Sequence, residues 1–475
     1  MTVALMWFRN DLRLQDNAAL AEAVEAAEGL LCVYLIEPES YWARGAASRV
    51  WLHHSLLSLR ESLRQAGNDL LIIEGEASDH IPALCQRHKA RQVFWSRRYR
   101  PDHIASDKAL FEQLNASGIR VHSLAGEMLH QPWSLQTGSG GPYRVFTPFW
   151  KQLRQRLGQL NARSLPATLP PTPKLDYSNQ QGLDRLLPDK PWACSMMQDW
   201  PVGEMGARKR LDWFLQDSLG DYATQRDRPD RDGTSQLSPA LHFGEIAPHR
   251  IIQRAEEVVA ADRAASKGAE VLMSELGWRE FSRHLLYHFP QMPDRPLNSK
   301  FEDFPWSDKQ EQALKAWRRG QTGIPIVDAG MRQLWASGWM HNRVRMIVGS
   351  FLCKNLLVPW QKGEYWFWDT LVDADLANNS QGWQWIGGCG ADAAPYFRVF
   401  NPVLQSEKFD PQSRYIARWL PQLAGLPAKE RRAPWLASSG SLSSAGVRLG
   451  ENYPEPVVDL KRSRERALEA WQKIR

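Results

Sequence analysis

The chain has 475 residues, enough for about two or three domains with separate hydrophobic cores. Its 59 basic and 53 acidic residues give a net charge of +6, an excess that suits a polyanionic partner without requiring one. The five cysteines are scattered and lack C-x-x-C spacing, which excludes a disulfide framework and a cysteine-based zinc site. No apolar run approaches the roughly 18 residues of a membrane span, and the first residues do not resemble a secretory leader, so we expect a cytoplasmic protein without a membrane partner.

Short apolar runs alternate with amphipathic stretches over the first 130 residues. This alternation is typical of a parallel sheet covered by helices on both faces, so we predict a doubly wound α/β domain over residues 1–130. No G-x-G-x-x-G turn or P-loop follows any of the runs, which disfavours a conventional nucleotide site. The predicted strands are V-A-L-M-W-F, L-L-C-V-Y-L-I, L-L-I-I-E-G, Q-V-F-W-S and I-R-V-H-S-L, and the predicted helices include Ala18–Ala27, Ser48–Ala66 and His80–Arg87.

Residues 131–202 are rich in proline, glycine, serine and glutamine, which indicates a long interdomain connector. From residue 203 to residue 475 helical periodicity dominates, so we predict an all-α domain that ends in a helix near Ser463–Lys473. The 22 tryptophans are many for this length. Most indoles fill cores, but this density also suggests stacking surfaces for planar ligands or a path for electrons.

The segment G-T-S-Q-L-S-P-A-L-H-F-G is the first candidate site. Ser238 followed by Pro239 predicts a helix start, with the hydroxyl at the N-cap and the proline at the first helical position. Together with Thr234 and Ser235, this helix start could bind a pyrophosphate, although a simple capped helix explains the pattern equally well. One turn apart upstream, Tyr222 and Arg226 could offer a ring and a cation to ligands.

Two further segments place polar side chains on one helical face. In E-L-G-W-R-E-F, the side chains of Glu275, Trp278 and Arg279 stand at i, i+3 and i+4, although an arginine paired to a carboxylate beside a core tryptophan would look the same. In G-W-M-H-N-R-V-R-M, a second face holds Asn342, Arg345 and Met346 and turns Arg343 away.

The stretch V-D-A-D-L-A-N-N-S-Q-G-W-Q-W, residues 372–385, concentrates carboxylates, carboxamides and indoles. Asp373 and Asp375 can hold a ribose or an arginine, and Asn378 or Asn379 can face a polar ring atom. We interpret the stretch as the wall of a cofactor pocket. The alternative is a tryptophan-rich hairpin with local Asx turns.

These segments together resemble the photolyase/cryptochrome family, and most closely the bacterial class I cyclobutane pyrimidine dimer photolyases. The resemblance covers nearly the whole chain. It rests on W-F-R-N-D-L-R-L-Q-D-N, Y-R-V-F-T-P-F-W-K, T-S-Q-L-S, W-R-E-F, T-G-I-P-I-V-D-A-G-M-R-Q-L, G-W-M-H-N-R-V-R-M, D-L-A-N-N-S-Q-G-W-Q-W and P-Y-F-R-V-F-N-P.

The resemblance implies an α/β antenna domain joined to an all-α domain that binds FAD, which is fully reduced in the active form. It also implies a set of FAD-binding positions in this chain. Asn379 is expected to face flavin N5 and tune the reduced forms, an assignment that rests on its spacing from Trp383. The implied FAD-binding residues are Tyr222, Thr234, Ser235, Gln236, Leu237, Ser238, Arg279, Asn342, Arg345, Asp373, Ala374, Asp375 and Asn379.

The implied activity is light-driven repair, in which an electron passes from the excited flavin to a dimer flipped out of UV-damaged DNA. Glu275 would contact the dimer, Trp278 and Trp385 would flank it, and Asn342 and Met346 would complete its pocket. The residues expected to reach the DNA are Arg226, Arg343, Arg398 and Gln405. The tryptophans expected to pass an electron from the surface to the flavin are Trp383, Trp360 and Trp306.

The family pattern breaks at the second chromophore, commonly a methenyl folate or a deazaflavin. Folate-binding relatives have Asn-Glu where this chain has Asp102 and His103, and a lysine in place of Pro293. The segment instead reads W-S-R-R-Y-R-P-D-H, and an anionic antenna could use its arginines. A metal site at His284 and His288 is the weaker reading of that pair, because no third ligand is apparent.

The alternatives to dimer repair are a cryptochrome-like photoreceptor and a photolyase for six-four photoproducts. The six-four enzymes would be expected to carry histidine at Asn342. The presence of Glu275, Trp278 and Trp385 favours dimer repair. We expect a monomer with no obligate protein partner and no metal.

Overall fold

The computed structural model describes residues 2–38, 42–157, 165–173, 182–307, 310–393 and 397–475. The chain forms two compact units: Met1–Gly220 with Ser235–Pro290, and Asp221–Thr234 with Gln291–Arg475. We call them the first and the second unit. The boundaries predicted at residues 130 and 202 remain a prediction.

The first unit is built on a sheet of five parallel strands in the order β3-β2-β1-β4-β5. All five predicted strands are present, with ends shifted by at most one residue, and the order is that of a doubly wound fold. The strands are β1 (Val3–Phe8), β2 (Gly29–Ile36), β3 (Leu70–Glu74), β4 (Gln92–Ser96) and β5 (Arg120–Leu124).

Both faces of the sheet are covered. Leu5 and Trp7 of β1 join a buried cluster with Ile81 and Leu114, which lie on helices that follow β3 and β4. Met6 points to the opposite face and is equally buried. The near-continuous apolar runs in the sequence therefore reflect a sheet buried on both sides, as predicted.

The α-helices of the described residues are numbered here in chain order. The first eleven are α1 (Ala18–Ala26), α2 (Ala46–Gln65), α3 (Ala77–His88), α4 (Pro101–Ala116), α5 (Phe146–Arg154), α6 (Pro191–Met197), α7 (Glu204–Asp217), α8 (Tyr222–Gln225), α9 (Ser238–Phe243), α10 (Pro248–Ala261) and α11 (Ser266–His288). The others are α12 (Glu311–Arg318), α13 (Pro325–Ser337), α14 (Asn342–Ser350), α15 (Trp360–Thr370), α16 (Leu376–Gly387), α17 (Pro402–Phe409), α18 (Arg414–Trp419), α19 (Ala428–Arg432), α20 (Ser439–Ser444) and α21 (Leu460–Gln472).

The second unit is helical, as predicted, and α21 matches the expected last helix. A buried carboxylate holds its core together. Asp328 on α13 accepts hydrogen bonds from the backbone and hydroxyl of Thr322 at 2.7 Å and from the hydroxyl of Tyr453 at 2.8 Å. Burial raises the pKa of Asp328 to about 6. The T-G-I-P-I-V-D motif is thus a helix start fixed to the segment before α21.

The predicted absence of disulfides agrees with the structure, because all five cysteines are described and unpaired. Among the described helices, none is long and apolar enough to cross a membrane. The described residues also contain no group of three or more metal-ligating side chains.

Candidate functional site

The N-terminal turn of α14 sets two arginines on different partners. Arg345 donates to the Asp373 carboxylate at 2.8 Å and to the Met340 carbonyl at 2.7 Å. Arg343 instead donates to the Asp227 carboxylate at 2.8 Å. Helical spacing predicted that Arg343 and Arg345 face different directions, and their different partners agree with this prediction. Asn342 and Met346, on the face of Arg345, remain exposed and partly exposed.

His341 caps this turn and was missed by the sequence analysis. Its Nδ1 accepts from the backbone of Arg343 at 3.2 Å. Burial lowers the pKa of His341 to about 4; Asp227 raises it, and Arg343, Arg345 and Arg226 lower it further. A neutral imidazole thus organises this corner. Arg226, predicted to reach DNA, lies close enough to contribute to its electrostatics.

The stretch from Val372 to Trp385 is a turn followed by α16, so the hairpin alternative is wrong. Asp375 is the N-cap of α16, accepting from the backbone of Asn378 at 3.0 Å and from its side chain at 2.9 Å. The Asx element of the alternative is therefore present, but as a helix cap. Ala374, which stands between Asp373 and Asp375 in the sequence, is buried.

Asn379 is buried on α16, and a neighbouring helix fixes its amide. Its Nδ2 donates to the backbone carbonyl of Glu364 on α15 at 2.9 Å, so the amide oxygen is directed away from that carbonyl. One turn further, Gly382 leaves open space: a Cβ built there would meet no atom within 4 Å. An oriented amide beside a bare helical position suits a planar polar ligand.

Glu364 lies behind Asn379 and has no solvent exposure. It accepts a short hydrogen bond from the Ser380 hydroxyl. Burial raises the pKa of Glu364 well above its ordinary value. Local spacing did not indicate this group, because its partner Ser380 lies on the next helix of the chain.

The three predicted electron-transfer tryptophans differ in burial. Trp383 and Trp360 are buried, whereas Trp306 is partly exposed, as a path to the surface requires. Trp383 packs directly on the backbone of α15, since a Cβ at Gly363 would lie 2.2 Å from its ring. Trp317, which the sequence did not single out, has its ring centroid 6.2 Å from that of Trp383.

A basic groove of about 510 Å³ runs along α17 in the second unit. It brings together three predicted DNA-binding residues, Arg343, Arg398 and Gln405. No acidic side chain is among its described lining residues, which are Arg343, Arg398, Val399, Phe400, Asn401, Leu404, Gln405, Lys408, Phe409 and Arg464.

A second cavity of about 460 Å³ shares Arg398 and Phe400 with the groove and is lined in part by Trp385. The Trp385 indole donates to the carbonyl of Asp392 at 3.2 Å, which fixes the ring. Lys354 in its wall donates to the Arg398 carbonyl at 2.6 Å, and burial lowers the pKa of Lys354 to about 8. Trp385 and Arg398 thus border one continuous region of the second unit.

The predicted helix start at Ser238 is displaced by one residue. The N-cap of α9 is Leu237, so Ser238 is the first helical residue and Pro239 the second, and no side chain caps the backbone. The Leu237 amide donates to the Ser235 hydroxyl at 3.5 Å. Gln236 adopts a left-handed backbone with φ of 52°, a conformation that favours a tight turn over a conventional cap.

On α11 of the first unit, Arg279 is bound by Glu280, a residue that the sequence pattern did not indicate. Arg279 donates to the Glu280 carboxylate at 2.8 Å and to the Glu127 carbonyl at 2.9 Å. Glu280 adjoins Arg279 in the sequence, whereas helical spacing had pointed to Glu275 as a partner. Trp278 stacks on Phe146 with ring centroids 3.8 Å apart.

The two histidines of α11 bind backbone. His284 and His288 each place a ring nitrogen 3.1 Å from the carbonyl of Pro132, and His284 also accepts from the Tyr143 amide at 3.1 Å. The i, i+4 spacing therefore lets both rings contact Pro132, and these contacts fix the start of the predicted connector to α11.

The arginines of W-S-R-R-Y-R are already engaged at the carboxyl edge of the sheet. Arg98 pairs with Glu37 and with Asp107, and Arg100 pairs with Asp102 at 2.7 Å. Arg97 donates to the Ser123 carbonyl at 2.7 Å. Two of the three arginines that an anionic antenna could use, Arg98 and Arg100, are therefore paired with carboxylates of the protein.

The candidate residues divide between the two units. The first unit contains Ser235, Gln236, Leu237, Ser238, Glu275, Trp278 and Arg279. The second contains Tyr222, Arg226, Thr234, Trp306, Asn342, Arg343, Arg345, Met346, Trp360, Asp373, Ala374, Asp375, Asn379, Trp383, Trp385, Arg398 and Gln405.

The family models identify the class of protein. Residues 271–473 match the model described as the FAD binding domain of DNA photolyase, and residues 4–174 match the model described as DNA photolyase. A parallel α/β unit together with such a helical region defines a flavin-binding protein of the photolyase fold.

Individual relatives match over nearly the whole chain. A deoxyribodipyrimidine photo-lyase of Agrobacterium fabrum is 46% identical over 473 residues, covering 99% of this chain and 98% of the relative. Cryptochrome-2 of Arabidopsis thaliana is 37% identical, covering 99% of this chain and 79% of the relative. The crystal structure of a bacterial class III photolyase from Agrobacterium tumefaciens superimposes with a TM-score of 0.95 at 45% identity, covering 100% of this chain and 98% of that one.

The chain belongs to the photolyase/cryptochrome family. The finer expectation of a class I enzyme is not supported, because the solved relative with 45% identity is described as class III.

Proposed function

We propose that the protein binds FAD and uses light to repair cyclobutane pyrimidine dimers in DNA. The observation that carries this proposal is the arrangement around α14. Its first turn bears Asn342, then Arg343 of the basic groove, then Arg345 paired with Asp373. The residues expected to hold flavin, lesion and phosphate therefore follow one another within a single helical turn.

FAD fits the donor set of the second unit. Asn379 is held with its amide oxygen directed away from α15, and an acceptor suits the N–H that a reduced flavin carries at N5. Gly382 leaves room for a flat ring on the same helix. When bound, reduced FAD would supply the light-excited electron that opens the dimer.

Further residues proposed from the resemblance would hold the remainder of the cofactor. The Arg345–Asp373 pair would be available to polar atoms of the cofactor, and Asp375 would fix the start of α16 through its cap. The remaining contacts proposed from the resemblance are Tyr222, Thr234, Ser235, Gln236, Leu237, Ser238, Arg279 and Ala374.

The damaged DNA would be held by charge and by stacking. Arg343 and Arg398 would engage phosphates, with Gln405 in the same groove, and Arg226 would also reach the DNA. A dimer is poorly stacked in the duplex, so it is cheap to extrude into a pocket. Trp278 and Trp385 would offer ring faces, Glu275 a hydrogen bond to the pyrimidine edge, and Asn342 and Met346 the remaining walls.

Oxidised flavin would be reactivated by electrons from the protein. Trp383 and Trp360 are both buried and Trp306 is partly exposed, so the electron hole would end at Trp306. We further propose that the enzyme works as a monomer and without an obligate protein partner, and that it belongs to class III, as the Agrobacterium structure suggests.

A cryptochrome-type photoreceptor is the second candidate, because Arabidopsis cryptochrome-2 matches 99% of this chain at 37% identity. Both candidates bind flavin and respond to blue light, so only repair separates them. The test is illumination of the flavin-loaded, reduced protein with three duplexes: one containing a thymine dimer, one containing a six-four photoproduct, and one intact.

The proposal predicts that thymines are restored from the dimer under blue light and not in the dark, and that the six-four duplex stays unrepaired. Repair of the six-four duplex alone would reassign the substrate. Flavin photoreduction without repair of either duplex would favour the photoreceptor.

A further inference from the structure

A lysine is buried in the second unit directly after α14. The chain leaves α14 in a π-helical turn (Phe351–Asn355), in which the Leu356 amide donates to the Phe351 carbonyl at 3.0 Å, five residues back. All five residues of this turn are buried, and Lys354 is 5% exposed. Burial of an ammonium group is costly, so the contacts of Lys354 decide whether it has a role.

The Lys354 ammonium group contacts two consecutive residues of another segment. It donates to the Arg398 carbonyl at 2.6 Å and lies 4.5 Å from the centre of the Phe397 ring. A carbonyl and an aromatic face are both uncharged, and both bind a protonated lysine more strongly than a neutral amine. The strength of both contacts therefore depends on the charge of Lys354.

The segment that Lys354 contacts leads from the core to the surface. Phe397 is buried, and its ring stacks on Trp471 of α21 with centroids 6.1 Å apart and lies 5.7 Å from the Phe304 ring. The next residue, Arg398, is exposed and lines the basic groove. An anchored aromatic residue is thus followed directly by a cation of the groove, and Lys354 contacts both.

We propose that Lys354 is a positioning residue, which holds the backbone at Arg398 so that the guanidinium group of Arg398 is presented to a DNA phosphate. This inference rests on the proposed repair function and adds a residue that controls the DNA affinity of the site. An arginine on a loose backbone must be ordered when DNA binds, and this ordering weakens binding. An arginine whose backbone is already fixed loses less conformational freedom.

The charge of Lys354 makes this positioning sensitive to pH. Burial lowers the pKa of Lys354 to about 8; the thiols of Cys353 and Cys389 raise it, and the Arg398 guanidinium lowers it further. Burial raises the pKa of both thiols, so they stay neutral where Lys354 titrates. Lys354 is therefore charged below about pH 8, and its contacts weaken as pH rises through that value. The other charged side chains that face this turn or line the same cavity are Lys300, Arg466 and Arg475.

The first test follows binding of a duplex with one thymine dimer to the flavin-loaded protein from about pH 7 to about pH 9. The wild type is expected to lose affinity by about threefold to tenfold over this range, because the contact of Arg398 with phosphate becomes less well ordered. Arg398→Gln should lack this loss, since the side chain that Lys354 positions is gone. A direct effect of the Lys354 charge on DNA would persist in Arg398→Gln, so the comparison separates positioning from simple attraction.

A double-mutant cycle at neutral pH tests the same coupling. Lys354→Met removes the charge and keeps an unbranched side chain, so it should weaken binding by about threefold to tenfold, and by no more than Arg398→Gln alone. In the Arg398→Gln background the same change should cost less than about twofold. Lys354→Arg keeps a cationic donor at higher pH and should bind as well at pH 9 as at pH 7. Lys362→Met is the matched control, because Lys362 is exposed on α15 and is not among the described lining residues of the groove.

The inference is overturned if the affinity of the wild type does not change from pH 7 to pH 9, or if Lys354→Met costs the same factor with and without the Arg398 side chain. Equal thermal midpoints and flavin contents of the variants exclude misfolding as the cause. If Lys354→Met does not fold, the pH comparison between the wild type and Arg398→Gln decides the question without it.

The wild-type protein distinguishes failure of this inference from failure of the proposed function. If the wild type binds damaged and intact duplexes equally and repairs neither, the repair function is refuted and the role of Lys354 with it. If the wild type prefers and repairs the damaged duplex while Lys354→Met matches it at every pH, only the positioning role is refuted.

Discussion

The side-chain amide of Asn379 donates a 2.9 Å hydrogen bond to the backbone carbonyl of Glu364, and this bond joins α16 to α15 at the proposed flavin site. The carboxyl group of Glu364 itself is buried and bonded to the Ser380 hydroxyl. The residue proposed to face the flavin is therefore held by the backbone of a residue whose buried carboxyl group favours its neutral form.

The buried Glu364 predicts a pH-dependent difference in stability. Burial raises its pKa in the folded state, so between the unfolded and the folded pKa the native state keeps a proton that the unfolded chain has lost. The contribution of Glu364 to stability is therefore present at low pH and falls by about 1.4 kcal/mol per pH unit as pH rises through that window. Glu364→Gln mimics the neutral form, so its free energy of unfolding should rise relative to wild type from pH 5 upward.

Denaturant unfolding at several pH values measures this difference. Exposed Glu465 on α21 provides the control variant Glu465→Gln, which should follow the wild type throughout. A Glu364→Gln variant whose difference from wild type does not change with pH would contradict the prediction.

Two glycines on adjacent helices predict opposite effects of the same substitution. In Gly363→Ala the new Cβ would lie 2.2 Å from the Trp383 ring, so the variant should lose about 1–3 kcal/mol of stability and displace that indole. In Gly382→Ala the new Cβ would meet open space, so the flavin-free protein should gain up to about 1 kcal/mol from the better helix former. The methyl group would, however, enter the space proposed for the flavin.

Thermal unfolding with and without FAD measures the stability changes, and flavin release on dilution measures the change in flavin affinity. Gly382→Ala should show weaker flavin binding in spite of its higher flavin-free stability. Unchanged flavin affinity in that variant would remove Gly382 from the proposed site.

The basic groove predicts unequal salt effects for two arginines. Arg398 is exposed, so Arg398→Gln should lower the slope of log K against log salt for damaged duplex by about 0.9. The Arg343 guanidinium lies 2.8 Å from the Asp227 carboxylate, which already balances part of its charge. Arg343→Gln should therefore change the slope by less, and Asp227→Asn should steepen it. Equal slopes for the two arginine variants would show that Asp227 does not moderate Arg343.

The tryptophan order predicts a separation of photoreduction from repair. Trp306→Phe removes the partly exposed end of the path, so light should no longer reduce oxidised flavin, whereas enzyme reduced chemically beforehand should repair at the wild-type rate. Trp133, which is 42% exposed in the first unit, supplies the control Trp133→Phe with both activities intact. Unchanged photoreduction in Trp306→Phe would contradict the assignment of Trp306 to the electron path. The buried Trp317 beside Trp383 would then be the next residue to test.

The sequence predicted the fold well because its signals are local. The strands β1 to β4 are mostly buried apolar runs, and α21 follows from its own periodicity, so neither needed knowledge of distant residues. The start of α9 was misplaced by one residue, because a left-handed backbone at Gln236 replaces the side-chain cap that Ser238 suggested.

The site was less predictable wherever partners are distant in the chain. Spacing showed that Arg343 and Arg345 face different directions, but not that Asp227 binds one of them, 116 residues away. The same limit applies to Arg279, which donates to the carbonyl of Glu127, 152 residues away. Pairing at such separations depends on tertiary packing, which local periodicity does not encode.

The most direct test of the account is the wavelength dependence of thymine restoration from a duplex that contains one thymine dimer. The account predicts that restoration requires the reduced flavin, is absent in the dark, and rises and falls with the absorption of that flavin between the near ultraviolet and the blue. If the flavin-loaded, reduced protein restored no thymine at any of these wavelengths, or restored it equally in the dark, the proposed light-driven repair would be contradicted.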